Sequence, residues 1–228
     1  MSAGTLPCYL CGKPLLAPIS VDHVPPLQFF AQDLRKKHNL SRLLTLQAHQ
    51  SCNAAYARDE QYFLHSVGMF GARTYSGNPI LKKIAGDFGA GKHTRLVRKV
   101  LAEFDPKPSG IILPKGKIAK RADGERLRRV AWKIVRGLLF HHFGEVYPED
   151  WTVGVTVTAP GEQPPEHFAV FNHLASGDDL GPYPGIFAYR FVKEEAGQYW
   201  ALLLWDAVIV TVIFPSKDAS SIDDSVSS

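Results

Sequence analysis

The clearest helical pattern in the chain runs from Gly124 to Phe143. Apolar residues recur there every three or four positions, as on one face of a helix; they are Leu127, Val130, Ala131, Ile134, Val135 and Leu138. A second face carries the basic residues Arg126, Arg129, Lys133 and Arg136. The pattern predicts a helix that packs with one face and presents the other to phosphate or solvent. His141 and His142 near its end suit the negative end of the helix dipole better than a metal site.

From Trp151 onward the chain consists of short stretches rich in β-branched and aromatic residues, which are typical of strands. The predicted strands are 152–158, 168–171, 185–192, 198–205 and 207–214. They indicate a small, mostly antiparallel sheet. The stretches 202–204 and 208–213 are too apolar for an open surface, so we expect them in a core, with a partner interface as the alternative. The Ser- and Asp-rich end from Ser216 is expected to be disordered.

The region in between, residues 66–145, alternates Gly and Pro turns with helical stretches. Residues 86–93, GDFGAGKH, match the GxxxxGK part of a phosphate-binding loop. Such a loop needs a Ser or Thr where this chain has His93, and it follows a buried strand, whereas residues 78–85 have the pattern of an amphipathic helix. We therefore expect a turn between helices here and no nucleotide site.

Charge is unevenly distributed along the chain, although the net charge is only +4. Residues 92–136 contain fourteen Lys and Arg against four Asp and Glu, whereas residues 143–228 contain three against thirteen. A basic block of this kind is either a solvated face or the path of a phosphate backbone, and charge alone does not separate the two.

Length and composition fit a protein with a substantial core, since 45% of the 228 residues are apolar. No stretch approaches the roughly 20 consecutive apolar residues of a membrane helix. The start Met-Ser-Ala-Gly-Thr lacks the basic and apolar regions of a secretory signal. We expect a cytoplasmic protein with no membrane partner.

All three cysteines belong to one constellation, Cys8-x-x-Cys11 and His49-x-x-Cys52. A two-residue spacer lets both side chains of a pair reach one ion, and thiolates with an imidazole suit tetrahedral Zn²⁺. Because four protein ligands leave no open position, we expect a structural zinc. The alternative is a disulfide between Cys8 and Cys11, with His49 as an ordinary helix histidine.

Between these half-motifs lies Asp22-His23, and Asn53 directly follows Cys52. An imidazole that titrates near neutral pH can accept a proton from water, and carboxylate and amide oxygens are ligands for a hard divalent ion. The zinc would then position a second, weaker metal site beside a general base.

These residues resemble the HNH endonucleases of the ββα-metal fold, in the subgroup with a CxxC…DHxxP…HxxCN frame. The likeness spans residues 8–63 and includes DHVPP at 22–26, HQSCN at 49–53 and DEQYF at 59–63. A weaker likeness continues through residues 137–144 and the final strands. The resemblance implies a zinc-stapled ββα unit that cleaves a phosphodiester bond in DNA.

Carried over to this chain, the resemblance implies that His23 is the general base. It implies that Asp22 and Asn53 bind one catalytic ion, Mg²⁺ or Mn²⁺, which stabilises negative charge in the transition state. The chain departs from the family where a middle Asn supports the base, because the position close to Leu43 is occupied by Arg42. Three alternatives stay open: a shifted loop gives this role to Asn39, Arg42 takes it and contacts phosphate, or the site is weakened.

Together the patterns predict an α+β protein in four segments. They are a zinc-stapled ββα unit at 1–65, a helical basic region at 66–145, an antiparallel sheet at 146–215 and a disordered tail at 216–228. The ββα unit should contain a hairpin with Asp22-His23 and a helix from near His49 towards Leu64.

The expected function is that of a metal-dependent endonuclease acting on double-stranded DNA, in a bacterium and in defence against phage. The alternative is a zinc-stapled nucleic-acid-binding or partner subunit whose nuclease centre is degenerate or opened by a partner. A protein partner or a homo-oligomer is compatible with either function.

Overall fold

The structure, a computed structural model, describes residues 6–40, 43–115, 118–171, 180–183 and 185–217. The predicted α+β class is confirmed, because helices dominate the N-terminal and central parts and a five-stranded antiparallel sheet closes the chain. Among the described residues, none of the helices combines the length and the apolar character that a membrane span requires.

The N-terminal part contains the predicted hairpin. Strand β1 (Ile19–His23) pairs antiparallel with β2 (Thr45–His49), so His23 lies opposite Thr45 at the end of the ladder where the connection between the strands begins. The connection between the strands includes a short helix, α1 (Gln32–Lys37). The hairpin therefore presents Asp22 and His23 where β1 ends.

The helix expected from near His49 towards Leu64 is divided into two. Helix α2 (Gln50–Ala54) ends after little more than one turn, and α3 (Ala57–Val67) follows. At the break, Tyr56 is buried in a small core together with Cys8 and Tyr9. The Tyr56 ring thereby anchors the turn between the two helices in this core.

The central part consists of helices joined by short turns. Helix α4 (Gly77–Gly89) and α5 (Thr94–Ala102) are connected by residues 90–93. The GxxxxGK sequence therefore forms a helix end and an interhelical turn, as predicted, and Gly91 adopts the positive φ of +70° that this turn requires. Two short paired strands follow, β3 (Phe104–Asp105) and β4 (Ala119–Lys120).

Helix α6 (Gly124–Phe143) has the ends that the pattern predicts. The Asp123 carboxylate caps the first turn by accepting a hydrogen bond from the Arg126 backbone amide at 3.4 Å. Gly144 ends the helix in the left-handed conformation, with φ of +67°. Most of the residues between 127 and 139 are buried, so α6 runs through the interior.

The C-terminal sheet has the strand order β5-β9-β8-β7-β6, with every pair antiparallel. Its strands are β5 (Gly154–Thr158), β6 (Leu180–Tyr183), β7 (Phe187–Lys193), β8 (Gly197–Leu204) and β9 (Val208–Pro215). Four of the five predicted strands are confirmed, and β6 was not predicted.

Two expectations about this region are wrong. Residues 168–171 belong to a 3₁₀ turn, Glu166–Phe171; Phe168 and Phe171 contact each other at 5.3 Å between ring centroids, because residues three apart share one side of such a turn. Ser216 is buried, and its hydroxyl donates to the Glu194 carbonyl at 3.0 Å, so the packed chain continues past the sheet. The remainder of the tail, residues 218–228, lies outside the described residues.

A continuous apolar core joins α3, α6 and the sheet. Trp132 of α6 packs on Phe214 of β9 at 4.9 Å between ring centroids. Alternate residues of β8 and β9 are fully buried, which confirms that the apolar stretches 202–204 and 208–213 are core. Gly137 lets α6 pack tightly against the residue that follows β1, because a Cβ atom there would lie 2.6 Å from a methyl group of Val24.

Candidate functional site

The four predicted zinc ligands converge beside the hairpin. Their ligand atoms all lie within 4.8 Å of one another; His49 Nδ1 lies 3.4 Å from Cys11 Sγ and 3.9 Å from Cys52 Sγ. Ligands of a tetrahedral zinc ion are roughly 3.5–3.8 Å apart, so the spacing fits. The set of Cys8, Cys11, His49 and Cys52, called the zinc cluster below, could therefore hold a metal such as zinc. All three cysteines are free, so the alternative of a disulfide is not supported.

Local structure orients the ligands. The CxxC pair lies in a tight turn, in which the Gly12 amide donates to the Cys8 carbonyl at 2.8 Å and Gly12 has a φ of +72°. His49 Nε2 lies 3.1 Å from the Pro14 carbonyl oxygen. The Leu16 amide donates to the same nitrogen at 3.2 Å, so two backbone contacts fix the orientation of the ring and turn Nδ1 towards the cysteines.

Protonation of the zinc cluster depends on a bound cation. Burial, together with the neighbouring cysteines, raises the pKa of Cys52 to about 11. A coordinated thiol is deprotonated outright, because the ion stabilises the thiolate. Metal binding to this cluster therefore has to release protons and should weaken as the pH falls.

The zinc cluster is connected directly to Asp22. Tyr9 lies between the two cysteines of the CxxC pair, and its hydroxyl donates to Asp22 Oδ2 at 2.5 Å. The hydroxyl is completely buried, and desolvation together with Asp22 raises its pKa well above the ordinary value. Tyr9 therefore stays protonated and can donate to the carboxylate at any physiological pH.

Asp22 and His23 differ in burial, although both border one cleft. Asp22 is 5% exposed, whereas His23 is half-buried. Burial lowers the pKa of His23, as do the charges of Arg35 and Lys133, and the Asp22 charge opposes this effect. At neutral pH the imidazole is therefore neutral, which is the form that accepts a proton.

The cleft has a volume of about 930 Å³. Acidic and amide groups on its wall come from Asp22, Asn53 and Glu60. Basic side chains of α1 and α4 also border it, namely Arg35, Lys82 and Lys83. The cleft thus brings a neutral histidine, buried carboxylates and three cations together in a space that admits a phosphate group.

Asn53 lies beside Asp22, as predicted, but a third side chain lies between them. Lys133 Nζ donates to Asp22 Oδ1 at 3.0 Å and to Asn53 Oδ1 at 3.2 Å, and it also pairs with Glu60. Mg²⁺ needs oxygen ligands at about 2.0–2.1 Å, so an ion bound to both predicted ligands would lie next to the ammonium. Repulsion between charges of +2 and +1 at about 3 Å is on the order of 10 kcal/mol at an effective dielectric constant of about 20. The residues as arranged do not fit the expected divalent ion.

Comparisons of the chain with protein-family models, curated proteins and solved structures found no match. The likeness to HNH endonucleases is therefore carried by the motif residues alone. The chemistry of the cleft has to be argued from the side chains that line it.

Two of the four basic residues predicted to bind nucleic acid pair with protein carboxylates. Arg126 and Arg129 both bind Asp59 of α3, Arg126 through its Nε atom at 2.6 Å. Arg129 also pairs with Glu149 at 2.8 Å. Their side chains are 22% and 28% exposed, and nucleic-acid binding by them stays a prediction.

For the other two, Lys133 and Arg136, a position on a phosphate-facing surface is wrong. Both are 1% exposed. The Arg136 guanidinium donates to the carbonyl oxygens of Tyr147 and Leu10 and to the Tyr56 hydroxyl. Helix α6 is covered on both faces, because α3 and the turn at residues 8–12, called the zinc loop below, cover the side that the sequence pattern assigned to solvent.

Of the two residues that could support His23, only Asn39 lies in the described part of the chain. Asn39 borders a second cavity, of about 630 Å³, together with His23. It has a φ of +48° and ends α1, with hydrogen bonds from Asn39 to Lys36 and from Leu40 to Arg35. This is the Schellman arrangement, for which Asn is suited, so a helix-ending role explains Asn39. Arg42 lies outside the described residues.

Five residues near the cleft escaped the sequence analysis: Tyr9, Arg35, Glu60, Lys82 and Lys83. Glu60 belongs to the quoted DEQYF stretch, so the resemblance held a signal for it. Tyr9 could have been noticed as the residue inside the CxxC pair. The three cations come from ordinary Lys and Arg runs, and only the packing of α1 and α4 distinguishes them. His142, by contrast, hydrogen-bonds Tyr189 at 2.7 Å, a packing role in place of a metal site.

Proposed function

We propose that the protein is an HNH-type endonuclease that hydrolyses phosphodiester bonds in DNA, with His23 as the general base. The observation that carries the proposal is the cleft in which a neutral His23 lies near Asp22 and Asn53 and is bordered by Arg35, Lys82 and Lys83. A base and several cations are what hydrolysis of a phosphate diester requires.

In the proposed reaction His23 accepts a proton from a water molecule, and the water oxygen attacks phosphorus. The new P–O bond forms as the bond to the 3′ oxygen breaks, and the leaving oxygen takes a proton from solvent. Arg35, Lys82 and Lys83 hold the phosphate through charge-assisted hydrogen bonds. Loss of His23 should therefore slow hydrolysis while the cations still bind DNA.

Zinc has a supporting role in this proposal. A Cys3His set gives zinc four protein ligands and leaves no position for water or phosphate, so the ion would act on the fold. It would hold the CxxC turn in place and thereby the hydrogen bond from Tyr9 to Asp22. A catalytic Mg²⁺ or Mn²⁺, where bound, would stabilise negative charge on the phosphate. Because Lys133 contacts the oxygens expected to bind that ion, the proposed reaction does not depend on it.

Double-stranded DNA is the proposed substrate, since the HNH likeness implies it and the cleft presents positive charge. Binding through phosphates should weaken steeply as salt increases, because counterions are released on binding. Cytoplasmic location in a bacterium and a part in defence against phage extend this proposal and rest on the resemblance alone.

A nicking assay on supercoiled plasmid tests the proposal. Wild type and His23→Ala are prepared with zinc retained and assayed with Mg²⁺, with Mn²⁺ and without added divalent ion. His38→Ala is the matched control, because His38 is an exposed histidine that contacts Tyr75 outside the cleft. Nicking by wild type and the control but not by His23→Ala supports the proposal. Equal nicking by all three would contradict it.

A second candidate function is favoured by the position of Lys133. If the ammonium has replaced a lost catalytic ion, the protein is a zinc-stapled nucleic-acid-binding or partner subunit whose nuclease centre is inactive or opened by a partner. DNA binding measured by fluorescence anisotropy, together with an absence of nicking by folded, zinc-loaded wild type in every buffer, would favour this function over hydrolysis.

A further inference from the structure

Lys133 is held in the middle of α6 by a complete set of acceptors. Its ammonium lies 2.8 Å from Asp22 Oδ2 and 3.2 Å from Asn53 Oδ1, and it pairs with Glu60. A lysine ammonium has three donors, and these three side chains supply one acceptor group for each. The Lys133 ammonium is therefore a fully coordinated cation and not one partner of a chance surface pair.

Burial makes the arrangement specific. The Lys133 side chain is 2% exposed and that of Asp22 is 6% exposed. A lysine is almost never buried to this extent unless it is paired, because an isolated charge loses its hydration. Other contacts fix the same groups: Tyr9 donates to Asp22, and Gln28 Nε2 donates to Glu60 at 3.3 Å. The constellation of Asp22, Asn53, Glu60 and Lys133 is called the ammonium site below.

The acceptors of the ammonium site are the ligands that a hard divalent ion would need. Asp22 Oδ2 accepts from both Tyr9 and Lys133, and Asp22 Oδ1 accepts from Lys133. A carboxylate offers about four lone-pair positions, so most of those on Asp22 are in use. The Asn53 carbonyl oxygen faces the same ammonium, while its Nδ2 atom donates to the Ser20 hydroxyl at 3.3 Å.

We propose that the ε-ammonium of Lys133 is the resident cation of this cleft and excludes Mg²⁺ and Mn²⁺ from Asp22, Asn53 and Glu60. The exclusion is a property of the folded chain, whatever the protein does. Its catalytic consequence rests on the proposed function: hydrolysis by His23 then proceeds without an added divalent ion, and Lys133 serves as a positioning residue that keeps Asp22 in place.

Mn²⁺ binding tests the proposal directly, since free Mn²⁺ is quantified by its electron paramagnetic resonance signal. Zinc-loaded wild type, Lys133→Met and Lys83→Met are titrated in metal-depleted buffer. Lys83→Met is the matched control, because it removes one positive charge from the same cleft without touching the ammonium site. We expect Lys133→Met to bind one Mn²⁺ at least about tenfold more tightly than wild type, and Lys83→Met to behave like wild type.

Lys133→Met leaves two buried carboxylates without a cation, so its fold has to be verified by zinc content and circular dichroism. The double variant Lys133→Met/Glu60→Gln removes one of these charges and keeps Asp22 and Asn53 as ligands. If the single variant does not fold, the double variant is compared with Glu60→Gln alone. The measurement on wild type needs no variant of Lys133.

A saturable Mn²⁺ site in wild type that is lost in Asp22→Asn would overturn the proposal, and so would a folded Lys133 variant that gains no Mn²⁺ affinity. Gain of affinity only when Lys133 is replaced supports it. The nicking assay tests the proposed function separately. Absence of nicking contradicts the proposed function and leaves cation exclusion intact. Tight Mn²⁺ binding by wild type contradicts cation exclusion and leaves the proposed function intact.

Discussion

The zinc cluster and the ammonium site each take one residue from the same hairpin, His49 and Asp22, yet their ligands interact with different cations. In the zinc cluster, three sulfur atoms and one imidazole nitrogen face one another within 4.8 Å. In the ammonium site, two carboxylates and an amide oxygen face the ammonium of Lys133. The zinc cluster requires an external ion, whereas the ammonium site receives its positive charge from the protein chain itself.

This difference shows that residues suited to bind a metal do not by themselves form a metal site. Asp22 and Asn53 are suitable ligands by residue type and are brought together by the fold, as the sequence predicts. What decides their chemistry is a residue that comes from a helix 80 positions beyond Asn53 and reaches the same oxygens. The two sites are also coupled, because Tyr9 of the zinc loop donates to Asp22.

Removal of zinc should have the largest effect. Structural zinc sites contribute apparent free energies of about 10–16 kcal/mol in small domains. The four ligands here join the N-terminal turn to the end of β2 and to α2. Cys8→Ser should therefore lose zinc and unfold the N-terminal unit, as measured by zinc content and circular dichroism. Ser51→Ala, an exposed neighbour of Cys52, is the control and should retain zinc. A Cys8→Ser variant that is metal-free but as stable as wild type would remove the zinc cluster from the account.

Replacement of Lys133, the internal cation, should have the second-largest effect on stability. Lys133→Met leaves Asp22 and Glu60 buried without a positive partner, and breaking a buried ion pair from one side costs about 3–5 kcal/mol. The free energy of unfolding in urea should fall by this amount, and Glu60→Gln in the same chain should restore part of it. Lys36→Met, on the exposed side of α1, should change stability by no more than about 0.5 kcal/mol. Equal stability of the two single variants would show that the ammonium site is not formed.

The approach of α6 to the hairpin should be sensitive to a single methyl group. A Cβ atom at Gly137 would meet the buried Val24 side chain at 2.6 Å, so Gly137→Ala should destabilise the fold by about 1–3 kcal/mol. Gly86 of α4 has no atom within 4 Å of such a Cβ, so Gly86→Ala should instead stabilise it by about 0.5–1 kcal/mol. Melting temperatures of the two variants measure the contrast, and shifts of the same sign would contradict it.

The smallest effect concerns pH. The pKa of His23 is lowered from the ordinary 6.5, so the imidazole stays neutral as the pH falls to 6.5, and activity should decline only below that value. Because the Lys133 charge contributes to the lowering, Lys133→Met should move the acidic limb of the pH–rate profile to higher pH. Initial nicking rates between about pH 5 and pH 8 measure the acidic limb of wild type and that of Lys133→Met. A limb above pH 6.5 in wild type would contradict the role of His23.

The parts of the fold that the sequence predicts are those governed by local periodicity and by turn residues. Helix α6 begins after Asp123 and ends at Gly144, as its pattern and caps indicate. Strands β8 and β9 are predicted because each contains an unbroken apolar stretch. The 3₁₀ turn at 166–171 resembles a strand in the sequence, because two aromatic residues give the same composition in either conformation.

The zinc cluster could be predicted because its spacing is short and all three cysteines of the chain belong to it. The ammonium site could not, because the basic face of α6 looks the same whether it meets solvent or another helix. Only the positions of α3 and the zinc loop reveal that Lys133 and Arg136 point into the protein. Long-range packing, which no local pattern encodes, therefore separates the predicted phosphate-binding face from the buried cation that is observed.

The most direct test of the contrast between the two sites is a crystal structure of the zinc-loaded wild type soaked in Mn²⁺, with anomalous data at the zinc and manganese edges. The account predicts a zinc peak among Cys8, Cys11, His49 and Cys52, and the Lys133 ammonium between Asp22 and Asn53 with no manganese peak there. A manganese peak bound to Asp22 and Asn53, with Lys133 turned away, would contradict it.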